Sequence, residues 1–148
     1  MRLRISALVA VLAAASAVVV VVAVASPSAN GLPEYTNGYT KWPRINEKPF
    51  TSTGPLSSAH PGVKNVYASR KKVGKRYPNG TVIVKSIRRT GDKPSLPRQV
   101  AVMRKTNGTW RYVEYELSGS RYRDLGFTQQ LCQGCHMRAR ANDYVFTK

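Results

Sequence analysis

Both cysteines of this chain, and one of its two histidines, fall within five residues: Cys132, Gln133, Gly134, Cys135 and His136. No other feature constrains the fold as strongly. Two thiols three positions apart lie on one turn of a helix, within reach of the two vinyl groups on one edge of a porphyrin. The adjacent His136 then places an imidazole nitrogen on the iron, so in an exported chain this spacing reads as a covalently attached c-type haem. With no further cysteine, a disulfide framework and a zinc site built from four cysteines are both excluded. The competing readings are a C-x-x-C redox pair followed by a histidine, or part of a metal site. A thioredoxin-like site needs a βαβ context, which the residues around Cys132 lack.

The beginning of the chain bears on compartment. Arg2 and Arg4 precede an almost unbroken apolar run from Ile5 to Ala25, followed by small residues and Ser26-Pro27-Ser28-Ala29. This is the pattern of an export signal over residues 1–25. The run approaches membrane-spanning length, so an uncleaved N-terminal anchor competes with cleavage. Either reading places the remainder outside the cytoplasm, in the periplasm or an equivalent exported space. The formal net charge of +17 falls only to +15 without this segment. Such a charge suggests nucleic acid, an anionic membrane surface or an acidic partner. Export argues against nucleic acid.

Residues 26–62 are rich in Pro, Gly, Ser, Thr and Asn and read as irregular connection, with 26–38 a linker. Tyr39-Thr40-Lys41-Trp42 reads as a short element that pins an aromatic pair to the core. Val63 to Tyr67 is β-prone, and Ala68 to Val73 reads as a short helix ending at Gly74. Tyr77-Pro78-Asn79-Gly80 is a turn, and Thr81 to Ile87 a strand. Gln99–Lys105 and Thr109–Leu117 form a hairpin around Thr106-Asn107-Gly108. In its second strand Trp110, Tyr112 and Tyr115 supply bulk, while Arg111, Glu114 and Glu116 suit a partly wet face. Gly119 to Gly126 reads as a polar loop, and Thr128 to about Ala141 as a helix with Thr128 as N-cap. The expected fold is α+β and mainly β: a small antiparallel sheet with short helices packed around one covalently bound haem.

Over residues 39–148 the chain resembles the cytochrome P460 family, which includes the β-sheet type of cytochrome c′. The resemblance rests on Tyr39-x-x-Trp42, Val63-Lys64-Asn65-Val66-Tyr67 and Asn79-Gly80-Thr81-Val82-Ile83-Val84-Lys85. It closes with Cys132-x-x-Cys135-His136 and Asn142-Asp143-Tyr144-Val145-Phe146-Thr147. It implies a haem packed against the sheet, a homodimer, and a five-coordinate iron open on one side for hydroxylamine or nitric oxide. In hydroxylamine-oxidising members a lysine at the end of the Gly-Thr-Val-x-Val strand is bonded to the porphyrin, and Lys85 occupies that position. Strand alternation groups Thr81, Ile83, Lys85 and Ile87 on one face and Val82, Val84 and Ser86 on the other. If the Ile83 face covers the haem, apolar neighbours lower the pKa of Lys85 and favour a nucleophilic amine. The competing reading is a strand-end lysine reaching water. Lys64 stands where the family has an arginine, and the stretch Phe127 to Leu131 has no acid to help move protons.

His60 is a candidate sixth ligand or proton relay, or else the cap of a turn. Met103 reads as core, and Met137 lies too near His136 to reach the far side of the iron. Asp143 is a candidate acceptor for His136 or a turn residue. Tyr144 and Phe146 read as packing against the haem edge. Arg70, Lys71, Lys72, Lys75 and Arg76, with Arg88 and Arg89, suit an acidic redox partner or anionic lipid. Three functions remain: hydroxylamine oxidation with electrons passed to another cytochrome, binding of nitric oxide or another gas, and electron transfer with a sixth ligand such as His60.

Overall fold

A computed structural model describes residues 28–53, 58–93 and 96–147. The leader and the first two residues of the linker lie outside the described residues. Among the described residues, no helix is long and apolar enough to cross a membrane.

Six strands form one antiparallel sheet in simple chain order: β1 (Phe50–Thr51), β2 (Val63–Ala68), β3 (Val82–Arg88), β4 (Gln99–Thr106), β5 (Thr109–Ser118) and β6 (Arg121–Asp124). Thr106 pairs with Thr109, so Asn107 and Gly108 make a two-residue turn, both with positive φ as the tightest hairpins require. Helix α1 (Gln129–His136) follows β6, and a 3-10 segment, Met137–Asn142, leads into the C-terminal tail. The fold is mainly β, with small helical pieces on an antiparallel sheet.

The sheet is buried on both faces, and β3 is accordingly buried at every position but its last. Val66, Ala68, Ile83, Met103, Trp110 and Tyr112 pack on one face with Tyr77 and Val145. Val82, Val84, Val100, Val102, Tyr115 and Tyr122 pack on the other with Leu32. The alternation expected for β3 therefore holds, and Met103 is core. Tyr39, at the start of a 3-10 turn Tyr39–Lys41, and Trp42 pack on the Val84 face, as does Tyr35. The stretch 28–38 lies against that same face, with Leu32 and Thr36 buried. Gly31 there approaches the Tyr122 carbonyl so closely that a Cβ would stand 2.3 Å from the oxygen.

Four local expectations are corrected. Ala68 to Val73 is no helix: Ala68 completes β2 opposite Ile83, and Val73 bridges to Arg76. Cross-strand pairing of Ala68 outweighed the local helical propensity. The polar stretch 119–126 contains β6, whose Tyr122 is buried while its arginines point to solvent. The helix from Thr128 stops at His136, and the 3-10 segment beyond it is broken at Ala139. Glu114 belongs to the buried face with Trp110 and Tyr112, not to a wet face with Arg111. Period-two alternation separates Arg111 from Glu114, three positions apart.

Candidate functional site

The Ile83 face carries a row of directly paired residues across four strands: Val66, Lys85, Ala101 and Glu114. Paired residues of adjacent strands project to the same side. Ala101 stands between the two charged side chains and, having only a methyl group, leaves open space above the sheet. That space is a cleft of about 830 Å³, lined by Lys85, Glu114, His60, Cys132, Cys135 and His136, with Met103 and Leu131 among its apolar walls. A second cleft of about 690 Å³ shares Lys85, His60, Cys135 and His136 and adds Phe50 and Phe146.

Helix α1 brings the motif to the cleft. Thr128 caps it, its Oγ1 accepting from the Leu131 amide. Gln129 ties the first turn to β5: its Oε1 accepts from the Tyr112 amide at 2.9 Å, and its Nε2 donates to the Tyr112 carbonyl. Strand β6 pairs with β5 only from Tyr115 to Ser118, so these groups of Tyr112 have no strand neighbour and the side-chain amide takes that place. Cys132 and Cys135 are free thiols, half-buried. Burial pushes the Cys132 thiol upward, with the Glu114 carboxylate adding to the effect.

His136 is buried, with its ring 4.7 Å from that of Tyr112 and 5.2 Å from that of Phe146, centroid to centroid. Its Nδ1 donates to the Tyr144 carbonyl at 2.6 Å. A carbonyl can only accept, so Nδ1 carries the proton and Nε2 keeps its lone pair. Burial holds the imidazole down at about 4, with the Lys85 and His60 charges in the same direction and the Tyr144 bond opposing. The ring is neutral near pH 7, the form in which a histidine binds iron. Two reduced thiols and a neutral imidazole line one largely apolar cleft, a donor set that fits a haem joined through Cys132 and Cys135 and ligated by His136.

The chain matches the family model Cytochrome P460 over residues 36–147. It belongs to the cytochrome P460 family. No curated protein matches it. Membership makes this a c-type haem cytochrome, and in this cytochrome P460 the motif, Lys85 and the clefts meet on one face of the sheet.

Lys85 is buried at 8% exposure, and its Nζ lies 5.7 Å from the Phe146 ring centroid. Burial holds its ammonium down at about 8, the Lys64 charge adding and the Glu114 carboxylate opposing. Lys85 does not reach water freely as a strand-end lysine would. Lys64 is also buried, at 1% exposure; its Nζ donates to the Gly62 carbonyl at 3.0 Å and lies 5.9 Å from the Phe50 ring centroid. It lines neither cleft with Lys85 and acts on that residue through its charge.

His60 faces both clefts, and its Nδ1 donates to Glu114 Oε1 at 3.0 Å. Its role as the cap of a turn gives way to this pairing. Asp143 does not meet His136: its carboxylate accepts from Lys105 and from the Tyr77 amide. Tyr144 serves His136 through its carbonyl, and its side chain packs beside the Ile83 cluster. Phe146 lines the second cleft. The residue missed from sequence is Glu114. The stretch just before the motif holds no acid, whereas strand parity with Trp110 and Tyr112 places one on the face that carries the cleft.

Proposed function

We propose that this cytochrome P460 oxidises hydroxylamine. The observation that carries the reading is the Glu114–His60 pair, facing the same cleft as Lys85 and His136. A haem attached through Cys132 and Cys135 and held by His136 would supply the redox-active iron for this oxidation. Removing two electrons from hydroxylamine, taking it to nitroxyl, also releases two protons. His60 takes one of them at Nε2, its Nδ1 being engaged by the Glu114 carboxylate that stabilises the imidazolium so formed, and the second passes to solvent. Both side chains are held by each other, so neither must reorganise as charge develops. The electrons leave to another cytochrome, and the exposed basic side chains Lys71, Lys75 and Arg76 suit an acidic face on it.

Lys85 is the residue proposed to bond to the porphyrin. Its amine forms a nitrogen–carbon bond in place of one N–H and one ring C–H. Two protons and two electrons are released, the electrons to a two-electron oxidant such as a peroxide. Support comes from its place in the cleft and from the burial that favours its neutral, nucleophilic form. Export through the leader completes the proposal, since c-type attachment belongs to that compartment.

The test is turnover of hydroxylamine by the purified haem-loaded protein with a dye acceptor, beside its absorption spectrum. Steady oxidation with a high-spin spectrum supports the reading. Nitric oxide binding without turnover would replace it by a gas-binding role. A low-spin spectrum that changes in His60→Ala would replace it by electron transfer with His60 as sixth ligand.

A further inference from the structure

The ion pair between Lys105 and Asp143 lies outside both clefts and takes no part in the proposed chemistry. Both side chains are buried, at 5% and 6% exposure. Lys105 Nζ stands 2.7 Å from one carboxylate oxygen and 3.0 Å from the other, and 5.4 Å from the centroid of the Trp110 ring. The same carboxylate accepts from the Tyr77 amide at 2.8 Å. Three hydrogen bonds thus converge on one side chain of the C-terminal tail. A buried pair of this kind adds little net stability over apolar residues of the same volume, so its value lies in fixing a geometry.

The geometry it fixes is unusual. Asp143 and Tyr144 are consecutive non-glycine residues with positive φ, 53° and 65°. Such a turn is disfavoured for residues with a Cβ and persists where surrounding contacts over-determine it. Its outcome is that the Tyr144 carbonyl turns back onto His136 Nδ1 at 2.6 Å.

We propose that the buried Lys105–Asp143 pair is a positioning device that holds the Tyr144 carbonyl on His136 and so sets the donor strength of that histidine toward the haem iron. The inference rests on His136 as the iron ligand. An imidazole whose Nδ1–H is held by an acceptor is the more basic ligand and stabilises the ferric iron more than the ferrous. Loosening the turn weakens that bond and favours the ferrous state.

The haem-loaded protein is compared with Asp143→Asn, Lys105→Gln and Lys105→Arg. Asparagine tolerates the left-handed region, so Asp143→Asn changes the charge and not the backbone preference. The readouts are the iron–histidine stretching frequency of the ferrous protein and the reduction potential. Asp143→Asn and Lys105→Gln are expected to lower the frequency and favour reduction about tenfold, roughly 59 mV for one electron. Lys105→Arg, which keeps the charge pair, is expected to return both toward the original values. Unchanged frequency and potential in either neutralising variant would overturn the proposal. Where Asp143→Asn fails to accumulate with haem, Lys105→Gln decides, since it keeps the carboxylate and its bond from Tyr77. A ferrous spectrum that His136→Ala leaves unchanged removes the His136 assignment instead, which separates the two failures.

Discussion

His60 Nδ1 donates to Glu114 Oε1 across 3.0 Å, joining a loop residue before β2 to the middle of β5 on the wall of the cleft that His136 shares. A carboxylate held against an imidazole makes a proton acceptor of the pair. Glu114→Gln keeps the shape and removes the charge. It should lower hydroxylamine oxidation by about 10²-fold, the lower end for loss of a general-base contribution. Haem content should be unchanged. Steady-state turnover and the haem absorbance per mole of protein measure the two together, and undiminished turnover would remove the pair from the reaction.

Lys85 gives a pH prediction. Only the free base forms a bond to carbon, so the proton must leave first. With the ammonium held at about 8, roughly one tenth of the amine is free at pH 7, against about one in 3,000 for a lysine at its ordinary value of 10.5. Cross-link formation in haem-loaded protein should therefore accelerate about tenfold per pH unit below 8 and level off above it. Intact mass, which falls by two hydrogens on bond formation, follows the rate. Lys85→Met should show no such loss at any pH.

Covalent attachment through each cysteine is separable. Cys132→Ala and Cys135→Ala should each retain haem through one sulfur, and the double variant that also carries Lys85→Met should release it into acidified organic solvent. Mass spectrometry of the denatured protein reads this directly. Haem still bound to the denatured triple variant would locate a further anchor elsewhere in the chain.

Gly62 allows a stability prediction. Its φ is +126°, and a Cβ there would lie 2.4 Å from the Arg88 carbonyl oxygen. Both the backbone strain and the collision act in the same direction. Gly62→Ala should lose about 2–3 kcal/mol, the upper range for a strained backbone position. Gly62 also supplies the carbonyl that Lys64 meets, so the seat of that lysine should loosen with the fold. Urea unfolding of the haem-loaded protein measures the first effect.

The sheet was largely legible because its signals are local. Alternation in β3 and the Asn107-Gly108 turn require only neighbouring residues, as does the five-residue motif. Errors arose where a distant partner decided the outcome. Ala68 is strand because Ile83 lies opposite, and β6 exists because β5 offers an edge. The site followed the same division. Cys132, Cys135 and His136 stand out by spacing, and Lys85 by the family resemblance. Glu114 does not, although alternation from Trp110 and Tyr112 marks its face, because only the packing of α1 on β5 brings it to the motif. Asp143 is the turn residue that its alternative reading expects, and not the acceptor for His136. Its true partner, Lys105, lies 38 residues earlier, and no spacing rule joins them.

Every strand of this sheet lies beside the strand that immediately precedes it in the chain. Sheet formation therefore needs no long-range closure, and each new strand finds its template already in place as the polypeptide emerges. Helix α1 comes last. The wall that presents Lys85 and Glu114 is thus able to assemble while Cys132, Cys135 and His136 are still to follow. Order of emergence makes the sheet a mould prepared in advance of the helix that completes the site.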